Sequence, residues 1–258
     1  MSEQIGTELD GGILRVEIRR PEKKNALTGP MYEALANALE AAECNPDVRV
    51  ILIHGQSGAF TAGNDLSDFL ANPPVSEEPL PPVFRFLNTF STLTKPFMAA
   101  VSGVAVGVGT TMLLHCDLVY AGESARFQLP FVNLGLCPEA GSSLLLPALV
   151  GHQRAAEMLL LCEPFNAEKA RELGLVNAVL PDVDVLDHAL AQARKLAAQP
   201  AAAVRMTKQL MKRTQAALLQ QTMQEEARQF RTLLVAPEAK EAFSAFFEKR
   251  KPDFSRFT

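Results

Sequence analysis

The segment KPFMAAVSGVAVGVG, Lys95–Gly109, predicts a strand, a glycine-rich turn and the start of a helix, in that order. Its first part, Pro96–Val101, is a short apolar run of the kind that forms a buried strand. The glycines at 103, 107 and 109 favour a tight turn, after which Gly109–His115 reads as helix. A strand joined to a helix by a short turn is a building unit of α/β proteins.

The same alternation extends outward from this segment in both directions. Near the start, Gln4–Leu9 and Ile13–Ile18 alternate in polarity and flank Asp10-Gly11-Gly12, which predicts a β-hairpin. Further strands are predicted at 48–53 and 118–121, and further helices at 30–44, 83–93 and 153–161. The sequence therefore predicts an α/β fold.

Two other stretches depart from this alternation. Asn72–Pro82 contains five prolines and is predicted to be a surface loop. From Pro200 onward the chain consists almost wholly of helix formers, with helices predicted at 201–213, 215–235 and 237–249. These helices carry more apolar surface than they can bury on themselves, so we expect them to pack on the body or on another subunit. We therefore divide the chain into a core domain, 1–199, and a C-terminal helical region, 200–258.

Composition excludes several classes of protein. The 258 residues are 48% hydrophobic and 21% charged, which is typical of a globular chain, and apolar runs are too short to span a bilayer. The net charge of −4 gives no overall basic field for nucleic acid. The first residues lack a charged-then-apolar leader, so a cytoplasmic location is expected.

Cysteine and histidine give no sign of a metal centre or a disulfide framework. The four cysteines contain no C-x-x-C pair, which favours free thiols in a reducing compartment. The four histidines are isolated and have no acidic ligand in register. We expect no metal site.

Two glycine-containing turns could carry chemistry. Phe60–Leu66 (FTAGNDL) follows one predicted strand, and Gly103–Gly109 follows another. Each places backbone N–H groups at the start of a helix, where they lack intrahelical partners. Two such groups facing one another would form an oxyanion hole. From spacing alone, two ordinary tight turns are the favoured interpretation.

Longer stretches around these turns resemble the crotonase, or enoyl-CoA hydratase/isomerase, superfamily. The resemblance includes FTAGNDL and the whole of Lys95–Ser143, together with RPEKKNAL at Arg20–Leu27 and AFFEKRKPDF at Ala245–Phe254. It implies a spiral of strand–strand–helix units followed by a helical trimerisation region, in a homotrimer or a dimer of trimers. It also implies an acyl-CoA thioester as substrate and no separate cofactor, because coenzyme A is part of the substrate.

The resemblance also implies catalytic groups, position by position. The oxyanion hole would be the backbone N–H groups of Asn64 and Val108. Hydratases of this family carry two glutamates at positions that are Thr111 and Phe131 here, so two-glutamate hydration is not expected and Thr111 is given no role. Glu139 lies where the single-glutamate Δ3,Δ2-enoyl-CoA isomerases have their base. The resemblance therefore favours isomerisation of 3-enoyl-CoA to 2-trans-enoyl-CoA.

Other interpretations of the same residues stay open. Glu139 could simply cap the helix that begins near Ser142. Another crotonase-type reaction, such as hydration, thioester hydrolysis or decarboxylation, could use the same hole. A dehalogenase is disfavoured because 134–143 contains no aspartate. A non-catalytic acyl-CoA-binding protein is the remaining alternative.

The family pattern also predicts residues that contact the substrate. Lys23, Lys24 and Lys249 would supply local cations for the anionic coenzyme A, and Ala26 and Ala62 would border the adenine. The complete set of expected contacts is Lys23, Lys24, Ala26, Ala62, Gly63, Asp65, Leu66, Gly107, Phe131, Phe246 and Lys249.

Overall fold

The computed structural model describes residues 3–56, 58–76 and 78–257, which form two β-sheets surrounded by helices. The strands are β1 (Ile5–Asp10), β2 (Ile13–Ile18), β3 (Val50–Gly55), β4 (Ala59–Thr61), β5 (Phe97–Val101), β6 (Val104–Val106), β7 (Leu118–Gly122), β8 (Arg126–Gln128), β9 (Phe165–Asn166) and β10 (Ala178–Leu180). The α-helices are α1 (Gly29–Cys44), α2 (Leu66–Ala71), α3 (Pro82–Thr92), α4 (Val108–Thr111), α5 (Ser142–Val150), α6 (His152–Ala156), α7 (Ala167–Glu172), α8 (Val185–Ala197), α9 (Ala201–Lys212), α10 (Ala216–Leu234) and α11 (Pro237–Phe247).

The larger sheet has the strand order β1-β2-β3-β5-β7-β10. Strands β1 and β2 form the predicted antiparallel hairpin, with Gly11 and Gly12 at φ angles of 54° and 80° in its turn. Every other neighbouring pair in this sheet is parallel. Strands β3 and β5 are almost completely buried, as their continuous apolar sequences predict.

The smaller sheet has the strand order β4-β6-β8-β9, and its connections to the larger sheet make the chain wind as a spiral. In each of the pairs β3/β4, β5/β6 and β7/β8, the first strand lies in the larger sheet and the second in the smaller one. Each pair is followed by helical structure, so the chain winds through both sheets once per unit. The predicted spiral of strand–strand–helix units is confirmed.

Two of the predicted helices are each split into two segments. The stretch 109–115 is split between α4 and a 3-10 helix at Met112–His115. The predicted helix at 153–161 is split between α6 and a π-helical turn at Glu157–Leu161. The proline-rich stretch between α2 and α3 forms neither helix nor strand among its described residues.

The three C-terminal helices pack against the rest of the chain and complete the interior. Lys208 of α9 is 4% exposed, and its Nζ donates to the carboxylate of Asp117 and to the carbonyl of Lys95, each at 2.7 Å. Helix α10 contacts α5, and α11 lies over a 3-10 helix at Val132–Leu134. In the described part of the chain, none of the helices combines the length and apolar character needed to cross a bilayer.

Candidate active site

A cavity of about 670 Å³ lies between the two glycine turns, the segment around Glu139 and the C-terminal helices. Most of the predicted site residues line it: Lys23, Ala26, Ala62, Gly63, Asn64, Asp65, Leu66, Gly107, Val108, Phe131, Glu139 and Phe246. The predicted cations Lys24 and Lys249 are exposed and lie outside this lining. Arg250, which adjoins Lys249 in the same basic tail, lines the cavity where Lys249 does not.

The two glycine turns lie directly against each other. Gly63 has a φ angle of 83°, and a Cβ atom there would lie 2.7 Å from the carbonyl oxygen of Val106. A Cβ atom on Gly109 would lie 2.6 Å from Cγ2 of Thr61. A side chain at position 63 or 109 would therefore separate the turns, and at position 63 the backbone conformation also favours glycine.

The backbone N–H groups of Asn64 and Val108 both border this cavity. The N–H of Leu27 donates to Gly63 and the N–H of Asp65 donates to Leu27, which turns the Asn64 N–H to the opposite side. Val108 begins α4, so its N–H belongs to the unpaired first turn. Within 3–56, 58–76 and 78–257, neither group donates a hydrogen bond. Unpaired N–H groups at a cavity are the kind of donor that can bind an anionic oxygen.

Asp65 fixes the turn that carries Asn64. Its Oδ1 accepts hydrogen bonds from the backbone N–H groups of Ser67 and Asp68 and so caps α2. Its Oδ2 accepts a 2.7 Å bond from Arg20, which also donates to the carbonyl of Ala26. Burial acts to raise the pKa of Asp65, but these hydrogen bonds outweigh it and the pKa is lowered. Although Asp65 lines the cavity as predicted, its carboxylate is occupied in holding the turn.

Tyr32 of α1 fixes the Asn64 side chain, and the sequence analysis missed it. The Tyr32 hydroxyl donates to Oδ1 of Asn64, and its ring packs on Phe86 at 5.7 Å between centroids. Burial, followed by the nearby charges of Glu139 and Asp68, raises the pKa of Tyr32. The phenol therefore remains a hydrogen-bond donor at neutral pH.

Glu139 is 6% exposed and lies at the inner end of the cavity. The Thr111 hydroxyl donates to its Oε1, so the expectation that Thr111 takes no part in the site is wrong. Burial raises the pKa of Glu139 to about 8; the Thr111 bond opposes this rise and the charge of Glu226 adds to it. A carboxyl group with this pKa can accept and return a proton near neutral pH.

The helix cap considered for Glu139 belongs to a different glutamate. Helix α5 begins after Gly141, and no side chain of its own segment caps it. The carboxylate of Glu226, on α10, accepts hydrogen bonds from the N–H groups of Gly141 at 2.6 Å and Ser143 at 3.0 Å. The side chain of Glu139 is therefore free of that structural task and faces the cavity.

His115 holds the other side of the same turn. Its Nε2 lies 2.6 Å from the carbonyl oxygen of Ala140, which fixes the ring as an Nε2–H donor. Burial lowers the pKa of His115 to about 3, so the ring is neutral at physiological pH. His115 acts on the turn after Glu139 and does not itself line the cavity.

The sequence of this chain matches a family model described as enoyl-CoA hydratase/isomerase over residues 8–256. The chain belongs to the enoyl-CoA hydratase/isomerase family. It is therefore a crotonase-type acyl-CoA enzyme, and the two-sheet spiral described above is the fold of its structural neighbours.

The relatives that resemble this chain are named for different reactions of the family. It is 38% identical to 2,3-dehydroadipyl-CoA hydratase from Escherichia coli, across 94% of both chains. It is 34% identical to enoyl-CoA delta isomerase 2 from Rattus norvegicus, across 94% of this chain and 63% of that protein. The crystal structure of an enoyl-CoA hydratase/isomerase from Pseudoalteromonas atlantica is 40% identical, with a TM-score of 0.92, and the match covers 98% of this chain and 100% of the other.

Proposed function

We propose that this member of the family isomerises 3-enoyl-CoA to 2-trans-enoyl-CoA, with Glu139 as its acid–base group. The observation that carries the proposal is a single available carboxyl group in the cavity. Among the described residues that line it, the acidic side chains are Asp65 and Glu139, and Asp65 is held in its ion pair and helix cap. One base is sufficient to move a proton between two carbons of the same substrate.

The reaction uses the two oxygens of Glu139 differently. Thr111 donates to Oε1, which leaves Oε2 to exchange a proton with the substrate. Oε2 removes a proton from the carbon alpha to the thioester carbonyl, and the electron pair moves into a dienolate. The same carboxyl group then delivers the proton to the gamma carbon, and the double bond becomes conjugated with the carbonyl. The enzyme returns to its starting state.

The dienolate places negative charge on the thioester oxygen. In this proposal the N–H groups of Asn64 and Val108 receive that oxygen, and hydrogen bonds there strengthen as charge develops. The apolar side chains of Phe131 and Leu136 lie beside Glu139 on the cavity wall and keep the site poor in water. We expect the coenzyme A end to extend toward Lys23 and Arg250, which line the same cavity.

Hydration is the second candidate, because the relative that is named a dehydroadipyl-CoA hydratase is 38% identical. Adding water needs a group that activates the water and a group that protonates the alpha carbon. Thr111 and Phe131 stand where hydratases of the family carry glutamates. Neither side chain has a carboxyl group, so neither can activate the water or protonate the alpha carbon. The relative that is named an enoyl-CoA delta isomerase supports isomerisation, the reaction proposed first.

Glu139→Gln tests the proposal because it keeps the size of the side chain and removes the base. We expect isomerisation of 3-enoyl-CoA and exchange of the alpha proton with deuterated solvent to fall by about a hundred- to ten-thousandfold. Affinity for a saturated acyl-CoA should persist, which controls for loss of the binding site. Near-normal isomerisation by Glu139→Gln would place the base elsewhere.

A substrate panel separates isomerisation from the other reactions of this family. The wild-type enzyme is incubated side by side with 3-enoyl and 2-enoyl thioesters of several chain lengths, and the products are separated. We expect isomerised 3-enoyl-CoA to exceed every other product. Hydration of the 2-enoyl substrates that is faster than isomerisation would show that the enzyme is a hydratase. Faster release of free coenzyme A would show that it is a thioesterase.

A further inference from the structure

Glu226 is a buried carboxylate that no substrate contact explains. It lies on α10, is 6% exposed, and does not line the large cavity. Its Oε2 accepts from Gly141, and its Oε1 accepts from both the N–H and the hydroxyl of Ser143. All three contacts therefore lie on the turn that directly follows Glu139.

This set of partners favours the ionised form of Glu226. Two backbone N–H groups and one hydroxyl donate to its two oxygens, and a protonated carboxyl group would lose acceptor positions there. The N-terminus of α5 also favours an anion. Burial raises the pKa of Glu226 above the ordinary value of glutamate, although each of these hydrogen bonds acts against that rise. The geometry is that of an ionised carboxylate.

The turn that Glu226 holds has an unusual backbone conformation. Ala140 has a φ angle of 60° and Gly141 one of 71°, so two successive residues are left-handed. Alanine is disfavoured in that region and persists there only when its surroundings hold it. His115 fixes the carbonyl of Ala140, and Glu226 fixes the N–H of Gly141. The direction of the Glu139 side chain depends on this turn.

We infer that Glu226 is a positioning residue that sets the orientation and the electrostatic environment of Glu139. The inference rests on the proposed role of Glu139 as the base. A negative charge near Glu139 disfavours its ionised form, which makes it a stronger base. Glu226 also draws the Gly141–Ser143 backbone toward α10, so one side chain controls both the geometry and the proton affinity of the base.

The other polar groups near Glu139 do not supply a negative charge that would raise its pKa in place of Glu226. Thr111 of α4 donates to its carboxyl group, and this bond favours the ionised form. Tyr32 of α1 is a neutral phenol at physiological pH. Arg231 of α10 borders a second cavity, of about 140 Å³, that Glu139 also lines, and its guanidinium lies over the ring of Phe84 at 5.2 Å. Among the charged groups here, Glu226 is the anion that raises the pKa of Glu139.

The test is the pH profile of kcat/KM for isomerisation by Glu226→Gln. Activity requires ionised Glu139 and is lost as the pH falls through its pKa. Removing the charge at 226 lowers that pKa, so the acid limb should move to lower pH, by about half a unit to one and a half units. The limiting value of kcat should fall because the base is weaker and its turn is held less firmly.

Two matched variants separate charge from structure. Glu225→Gln removes the neighbouring charge on the same helix, where Glu225 is exposed and bound to Arg228, and should leave the acid limb in place. Glu226→Asp keeps the charge on a shorter side chain and should keep the acid limb while lowering kcat. If folded Glu226→Gln has the wild-type acid limb, Glu226 is a structural cap only and the inference is wrong.

A second measurement keeps the inference testable if Glu226→Gln does not fold, and it does not depend on catalysis. Infrared difference titration of the wild-type protein, with Glu139→Gln as reference, follows the Glu139 carboxyl group directly. Because Glu226 stays ionised over the range in which Glu139 titrates, Glu139 should titrate as a single site well above the ordinary pKa of glutamate. A single-site titration at the ordinary pKa of glutamate would overturn the inference. Loss of the proposed function would appear separately, as isomerase activity that survives Glu139→Gln.

Discussion

At the scale of single side chains, the reactivity of Glu139 depends on the hydroxyl group that contacts it. Thr111 donates to Oε1 and so stabilises the ionised form. Thr111→Val removes the hydroxyl group and keeps the shape. We expect the pKa of Glu139 to rise above its wild-type value of about 8, which moves the acid limb of kcat/KM to higher pH and lowers activity at neutral pH.

Thr111→Ser is the control for this prediction, since it keeps the hydroxyl group and removes only a methyl group. Its acid limb should stay close to that of the wild-type enzyme. The profiles of both variants are measured from pH 5 to 9 with one 3-enoyl-CoA substrate. An unchanged limb in Thr111→Val would mean that the hydrogen bond does not act on the base.

Residues that act on Glu139 or on its turn from distant parts of the chain could not be predicted from the sequence. Glu139, Asn64 and Val108 lie in recognisable motifs, and the cavity brings these motifs together. Thr111 contacts Glu139 across 28 positions of sequence, and Glu226 contacts Gly141 across 85. No local pattern encodes such pairs, because side-chain chemistry at one position does not indicate which distant backbone will need it.

At the scale of secondary-structure elements, the oxyanion hole depends on how closely two turns approach. Gly63→Ala would place a Cβ atom 2.7 Å from the carbonyl of Val106 and force the turns apart. We expect kcat to fall by about a hundredfold, as when one oxyanion donor is lost. The measurement is kcat for the 3-enoyl substrate, with thermal unfolding followed in parallel.

Gly58→Ala is the matched control for Gly63→Ala. Gly58 also has a positive φ angle, of 91°, but a Cβ atom there meets nothing within 4 Å and the residue lies outside the cavity. Both substitutions strain the backbone, at a cost of about 1–3 kcal/mol. Equal losses of kcat in both variants would mean that strain alone, and not separation of the turns, reduces the rate.

The longer elements were predictable from sequence and the shortest ones were not. Strand β5 and helix α1 follow from apolar runs and helical spacing, and their observed limits lie within one residue of the predicted ones. Strands β4, β6 and β8 have three residues each, which is too short for a periodic pattern to emerge. They are strands because they pair with one another, which is a tertiary property.

At the scale of the whole molecule, the uneven distribution of charge bears on coenzyme A binding. Residues 1–198 carry 14 basic and 23 acidic side chains, whereas 199–258 carry 11 and 6. Lys23 and Arg250 bring cations from both regions to the cavity. We expect acyl-CoA affinity, measured by calorimetry, to weaken as salt rises, because these exposed cations are screened.

Lys23→Ala and Lys249→Ala test which cations contribute to this salt dependence. Lys23 lines the cavity, so its removal should weaken binding and reduce the salt dependence. Lys249 and Lys24 are exposed outside the lining in the single chain, and their predicted contact with coenzyme A stays a prediction. If acyl-CoA affinity does not change with salt, the predicted electrostatic contribution of these cations is wrong.

The C-terminal helices leave apolar side chains uncovered on one chain, and this is the basis of the predicted assembly. Met206, Leu210 and Met211 of α9 are 54%, 53% and 70% exposed, and Leu218 of α10 is 51% exposed. Apolar surface of this kind, concentrated on neighbouring helices, is typical of a subunit interface. We therefore predict that 200–258 joins the chains into a trimer or a multiple of three.

Light scattering at micromolar concentration tests this prediction, with an expected mass that is a multiple of three of the 28.0 kDa chain. Met211→Lys would place a charge on the exposed face of α9 and should lower the mass toward that of one chain, because an unpaired charge is costly to bury. Val183→Lys is the control: Val183 is 86% exposed in the 3-10 helix at Asp182–Asp184, outside the C-terminal region, and should leave the mass unchanged. A wild-type mass equal to one chain would mean that these helices stay exposed to solvent, and that the apolar side chains of α9 and α10 have no partner in another copy.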